Sequence, residues 1–293
     1  MRGVLNVNKP SGISSYDVIR RIKPILQSPI PIGHAGTLDP LASGVLLVLL
    51  GEATKVSRFL LDLPKEYVAG VLFGRQTDTD DLSGKTMAEH PVTGLTPESV
   101  WAALDRFTGE IEQVPPAFSA LKQDGQPLYR LARKGLEVRP KARKVTVHEL
   151  ELLDLKPPTA TIRCLVSAGT YVRALARDLG KALDTVATLA ALVRTKVGQF
   201  RIEDSTAPDA LDAVSLPRWL TPIDAALTGM PRIRVSVMQA QCLHQGKVVN
   251  GFEGSMVSGI GGFALAVTED HSFLAVVVSN GSILRTERIV YAS

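Results

Sequence analysis

Apolar residues recur along the chain with two different periods. Val18, Ile19 and Ile22 follow Ser14-Ser15 at helical spacing, so a capped amphipathic helix is expected there, ended or kinked by Pro24. Residues 45–50 are continuously apolar up to Gly51 and read as a strand buried on both faces. Tyr67, Ala69, Val71 and Phe73 alternate with their neighbours and share one face of a second strand. Thr96-Pro97-Glu98-Ser99 starts another helix, with Val100, Ala103, Leu104 and Phe107 on one stripe. Strand patterns return over residues 144–155 and 161–167. A helix is expected from about 170 to 183, with Ala174, Leu175, Leu179 and Ala182 inward.

The texture changes near Gly229-Met230-Pro231. Residues beyond it are rich in Gly and Val and read as short strands, with 273–278 the clearest and Asn280-Gly281 as a hairpin turn. Two domains are therefore expected, residues 1–229 and a small β-rich module over 230–293. No repeat or low-complexity tract is visible.

Composition adds limits. The chain has 293 residues, 45% hydrophobic and 21% charged, an ordinary globular balance able to bury a core without staples. Two cysteines, Cys164 and Cys242, form neither a disulfide framework nor a zinc pattern, and suit a reducing compartment. No apolar run approaches the roughly 20 residues that cross a bilayer, and no signal peptide is recognised at Met1. A cytoplasmic protein is expected. The formal charge of +4 is too small to mark a nucleic-acid coat. Its distribution matters more. Residues 121–147 carry Lys122, Arg130, Arg133, Lys134, Arg139, Lys141, Arg143 and Lys144 against only Asp124 and Glu137.

The stretch Gly33-His34-Ala35-Gly36-Thr37-Leu38-Asp39-Pro40-Leu41-Ala42-Ser43-Gly44 surrounds one acid with glycines and a proline, directly before a buried strand. Glycine permits left-handed angles and close approach to a ligand. Asp39 could serve there as nucleophile or general base, or merely cap its own turn.

This stretch resembles the catalytic-aspartate motif of the TruB family of tRNA pseudouridine synthases. Asn8-Lys9-Pro10-Ser11-Gly12-Ile13-Ser14-Ser15 is similar to that family's opening motif. Further matches follow in order: Gly51-Glu52-Ala53-Thr54-Lys55, Lys65-Glu66-Tyr67, Gly74-Arg75-Gln76-Thr77-Asp78-Thr79-Asp80-Asp81, and Pro115-Pro116-Ala117-Phe118-Ser119-Ala120-Leu121-Lys122. Gly125-Gln126-Pro127-Leu128-Tyr129, Ser167-Ala168-Gly169-Thr170-Tyr171-Val172-Arg173 and Leu192-Val193-Arg194-Thr195 complete the series, which covers roughly residues 3–200. Departures are small. Proline is unusually dense at Pro24 and Pro29-Ile30-Pro31, Phe118 stands where tyrosine is common, and Ala168 where a polar residue is common.

The resemblance implies an α+β fold, a pseudouridine synthase core with a mixed, mainly antiparallel sheet followed by a PUA-like RNA-binding module. It implies isomerisation of uridine 55 in the T-arm of tRNA without cofactor or metal. In the roles it implies, Asp39 is the nucleophile and Arg173 its partner. Tyr67 and Leu192 bracket the base, and His34 fills the stack left by the flipped nucleotide. Lys9 and Tyr171 contact substrate. Lys122, Arg139, Lys141 and Arg143 hold phosphates of the T-arm. A monomer is expected, with tRNA as its partner and no membrane association.

The residues leave other readings open. Tyr67 and Leu192 also suit plain core, Arg173 a solvated position, and the basic segment a solvated face. The acids Asp78, Asp80 and Asp81 read as a hydrogen-bonded loop. An RNA-folding protein with secondary catalysis is the alternative function. A glycosidase is disfavoured because it needs two carboxylates, and the motif around Asp39 offers no second acid.

Overall fold

The structure, a computed structural model, describes residues 1–292 apart from 120, 124, 137, 139, 251–261 and 281–282. Its centre is one large sheet. Across it, in spatial order, run Leu220–Thr221, Gly3–Lys9, Ser43–Leu50, Ala187–Val197, Lys65–Phe73, Thr159–Val166, Arg143–Lys156 and Gly109–Gln113. Ile32–Ala35 pairs beside Ser43–Leu50, and Phe200–Arg201 beside Ala187–Val197. Among the described residues, one pairing in this sheet is parallel, Ser43–Leu50 with Ala187–Val197 through Val193↔Ser43 and Arg194↔Gly44. The others are antiparallel. The expected mixed, mainly antiparallel sheet is what forms.

Local pattern explains most elements. Ser14 caps the helix Ser15–Ile22 through a reciprocal capping box with Asp17, and Val18, Ile19 and Ile22 are buried. Pro24 falls in a short 3₁₀ turn, Lys23–Ile25. The strand Ser43–Leu50 is buried on both faces after its first residue. Lys65–Phe73 alternates, with Tyr67, Ala69, Val71 and Phe73 inward. Thr96 caps the helix Pro97–Asp105. The helix Val172–Ala182 packs on Ala187–Val197, and Tyr171 is its N-cap residue.

Beyond residue 229 a four-stranded sheet runs in the order Arg232–Arg234, Phe263–Val267, Phe273–Asn280, Ile283–Ala292. Gly281, in the anticipated hairpin turn, lies outside the described residues. Beside these strands the β-rich module holds the helix Val237–His244, capped by Ser236 with Gln239. Its first residues, Val237 and Met238, are exposed and only Ala240 and Leu243 are buried, so its apolar positions make no inward stripe. The two sheets are not separate cores. Leu47, Leu49 and Val197 share one apolar cluster with Leu265, Leu274 and Val276. Arg58 spans the junction, stacking on Phe59 and Phe263 and pairing with Glu287.

Candidate active site

The loop between Ile32–Ala35 and Ser43–Leu50 carries Asp39 and is held from two sides. On one side lies the turn after the first strand. Gly12 N donates to Pro40 O at 2.7 Å and Ser11 Oγ to Leu41 O at 2.9 Å. Ser15 Oγ accepts from Leu38 N at 2.8 Å and donates to Leu38 O at 3.0 Å. The loop also closes on itself, Ala42 N donating to Asp39 O at 3.0 Å. On the other side is Arg194. Its Nε donates to Val45 O at 2.7 Å, Nη2 to Gly36 O at 2.9 Å and Nη1 to Thr37 O at 3.4 Å. Gly44, at φ +103°, allows this approach. A Cβ there would stand 2.2 Å from Arg194 O.

So supported, the Asp39 side chain stays 41% exposed and its Oδ2 lies 2.9 Å from Arg173 Nε. Arg173 itself is 5% exposed. Its Nη1 donates to Thr79 O at 2.8 Å and its Nη2 to Phe118 O at 3.0 Å. The guanidinium is therefore fixed by main chain before it meets the carboxylate. Such a pairing sets the direction of the carboxylate.

A second acid reaches the pair from outside the Asp39 motif. Asp81 Oδ2 is 3.7 Å from Arg173 Nε. Asp81 is buried, and its Oδ1 accepts from Thr79 Oγ1 at 2.8 Å, Ser83 N at 3.0 Å and Ser83 Oγ. The acid loop is hydrogen-bonded, as expected, but it also delivers this carboxylate. Asp80 pairs with Arg177 at 2.9 Å, and burial raises its carboxyl pKa. Among the described residues no three His, Cys, Asp or Glu are grouped to hold a metal ion.

A cleft of about 710 Å³ opens over these groups, lined by Asp39, Tyr67, Asp81, Tyr171, Arg173 and Leu192 among others. Tyr67 and Leu192 come from adjacent strands and are both largely buried. Beside Tyr67, on the paired strand, the Cys164 thiol is pushed up to about 12 by burial, so it is no nucleophile at neutral pH. Tyr171 is tethered through its backbone, its N donating to Gln113 Oε1 at 2.8 Å and its O accepting from Gln113 Nε2 at 3.1 Å. The Arg143 guanidinium stacks 4.8 Å from the Tyr171 ring centre.

Other expected residues sit apart from this group. Lys9, expected to touch substrate, is instead wholly buried, its Nζ donating to Pro10 O at 3.0 Å and Ile13 O at 2.7 Å. It stiffens the turn that supports the Asp39 loop. Burial pushes its pKa down to about 8, partly opposed by Asp39. His34 is on the strand leading into the loop, half-buried and outside the cleft lining. Burial, then the Arg194 charge, lowers its pKa and favours the neutral ring. Lys141 is exposed. Arg139 lies outside the described residues, as does the Lys122 side chain.

Lys65, Asp81 and Arg194 also line the cleft, although the motifs gave them no role there. Each stands inside one of the matched motifs, but an isolated charge in a motif does not reveal which way it faces.

A family model described as "TruB family pseudouridylate synthase (N terminal domain)" matches residues 24–172. The chain is 46% identical over 250 residues to a protein named "tRNA pseudouridine synthase B" of Aromatoleum aromaticum, covering 84% of this chain and 80% of that one. A protein of the same name from Ralstonia nicotianae is 41% identical, with 99% and 95% covered. Among solved structures, a chain of "Crystal Structure of a Cbf5-Nop10-Gar1 Complex" superposes with a TM-score of 0.74 at 25% identity, over 99% of this chain and 85% of that one.

Proposed function

The chain belongs to the TruB family of pseudouridylate synthases, and from that premise we propose that it converts uridine 55 in the T-arm of tRNA to pseudouridine. The observation that carries the reading is the 2.9 Å pairing of a solvent-open Asp39 with a buried Arg173 inside a cleft walled by Tyr67 and Leu192.

In this reaction the N1–C1′ bond of uridine breaks and a C5–C1′ bond forms. The C5 proton leaves and N1 gains one, so the product is an isomer and no cofactor is consumed. Asp39 acts as nucleophile, with attack at C1′ or on the pyrimidine ring both compatible with a loop carboxylate. Arg173 holds and aims that carboxylate. Tyr67 stacks on the base, and its hydroxyl assists removal of the C5 proton. Leu192, on the neighbouring strand, supplies apolar contact to the base. Tyr171, backed by Arg143, forms the rim.

The target nucleotide is extruded from its loop at a cost of a few kcal/mol, and His34 takes the vacated place. Lys122, Arg139, Lys141 and Arg143 contribute phosphate contacts, which dominate RNA affinity. The β-rich module over residues 230–293 acts as a PUA-like RNA-binding appendage. The protein works as a monomer in the cytoplasm, where its tRNA substrate resides. Among the described residues no helix is long and apolar enough to cross a membrane.

The test is tritium release from C5-labelled uridine in a tRNA transcript, with wild type and Asp39→Asn. Release by wild type and none by the variant is expected. No release by wild type defeats the enzyme reading. Release that survives the substitution removes Asp39 as nucleophile. Normal tRNA binding by the inactive variant would leave an RNA-folding role standing beside catalysis.

A further inference from the structure

Arg194 is the most deeply buried cation of the cleft, 1% exposed, two residues beyond Leu192 on the same strand. Its hydrogen bonds go to three main-chain carbonyls, those of Gly36, Thr37 and Val45. A buried charge served by carbonyls alone costs more than an apolar side chain of similar size. The three carbonyls stand on both limbs of one loop. Gly36 and Thr37 lead into Asp39, and Val45 is the third residue of the strand that leaves it. The backbone of Arg194 closes the same fork, since Val193 and Arg194 pair with Ser43 and Gly44.

The two arginines thus divide one task. Arg173 grips the Asp39 carboxylate, and Arg194 grips the peptide chain that carries it. Without the second grip the carboxylate would follow the loop, and reacting atoms must meet within about 3–3.5 Å. The charge also reaches the groups around the loop. Burial chiefly, and the Arg194 charge in addition, lower the pKa values of His34, Lys9 and Lys65.

We infer that Arg194 is a positioning residue of the catalytic loop, fixing the height and pitch of Asp39 beneath the ribose–uracil bond without touching the nucleotide. This rests on the proposed pseudouridylation and assigns a part to a residue that reading leaves idle.

The test uses full-length Arg194→Lys, which keeps the charge and loses the fork, and Arg194→Met, which loses both. Three quantities are read: the single-turnover rate of tritium release at saturating tRNA, the tRNA dissociation constant, and amide exchange at Leu38 and Ala42. The expected result for Arg194→Lys is a rate lowered about 10- to 100-fold, the scale of a misplacement near 1 Å. Its tRNA affinity should stay within about threefold, with faster exchange at both amides. A further rise in the His34 pKa, followed by NMR, is expected for Arg194→Met only. Should Arg194→Met fail to fold, Arg194→Lys decides alone. A wild-type rate and unchanged exchange in Arg194→Lys overturn the inference, as does an equal loss of rate and affinity. If wild type itself releases no tritium, the pseudouridylation reading fails, and the exchange comparison still decides whether Arg194 holds the loop.

Discussion

Arg173 is almost fully buried, yet the carboxylate it pairs with, Asp39, is 41% open to solvent. The two ends of this ion pair should therefore answer very differently to substitution. Asp39→Asn leaves Arg173 its carbonyl acceptors and the nearby Asp81, and should change unfolding free energy by no more than about 1 kcal/mol. Arg173→Met strands buried Asp81 and two carbonyls, and should cost about 3–5 kcal/mol. Both should lose tritium release. Urea denaturation separates them, and equal costs would contradict the asymmetry.

Gly44→Ala should be poorly tolerated. Its φ is +103°, and the added carbon would collide with Arg194 O at 2.2 Å and Arg194 N at 2.8 Å. Strain and overpacking together predict a loss of about 2–4 kcal/mol. Gly33→Ala is the control. No heavy atom lies within 4 Å of its Cβ position, so a change within about 0.5 kcal/mol is expected. Similar melting curves for both would refute the close approach.

Neutralising Arg139, Lys141 and Arg143 together should flatten the dependence of tRNA affinity on salt. Each lost phosphate contact lowers the slope of log K against log salt by roughly 0.7–0.9. Filter binding over a salt series gives the slope directly. An unaltered slope would take this segment out of the RNA interface.

The buried ammonium groups make stability depend on alkaline pH. Lys9 titrates near 8 in the folded chain against 10.5 as its ordinary value, chiefly through burial. Between those values the unfolded chain binds more protons, so unfolding free energy rises with pH. For Lys9 the gain from pH 7.5 to 9.5 is about 2 kcal/mol by linkage. Wild type should show this increment relative to Lys9→Met in denaturation at the two pH values. Parallel curves would mean that Lys9 keeps its ordinary pKa.

A chain cut after residue 229 should not stand alone. It would uncover Leu47, Leu49 and Val197 where they meet Leu265, Leu274 and Val276. Each such side chain contributes about 1.5–3 kcal/mol by burial, so aggregation or a much lowered melting temperature is expected. A soluble, cooperatively melting 1–229 fragment would show two independent domains instead.

Several elements are legible in local pattern alone. The capped helix Ser15–Ile22 and the strands Ser43–Leu50 and Lys65–Phe73 carry their period in consecutive residues. What stays hidden in the sequence depends on distant partners. Asp81 reaches Arg173 because its segment bridges to Leu189 and Thr77 bonds Thr188. Lys9 reads as a surface cation because lysine is rarely buried. Its two carbonyl acceptors exist only once residues 10–13 turn back. The helix Val237–His244 carries no periodic signal because its apolar residues do not fall on one face.

The bond from Arg194 to Val45 joins points 149 residues apart in the chain. Synthesis runs from the amino end, so Asp39 leaves the ribosome long before the strand that fixes its loop. Closing so large an interval is entropically costly and comes late in folding. Until then a nascent or truncated chain carries the acid without its geometry. Chemical competence is thereby tied to completion of the catalytic fold, and an unfinished copy meeting RNA has no organised site with which to act on it.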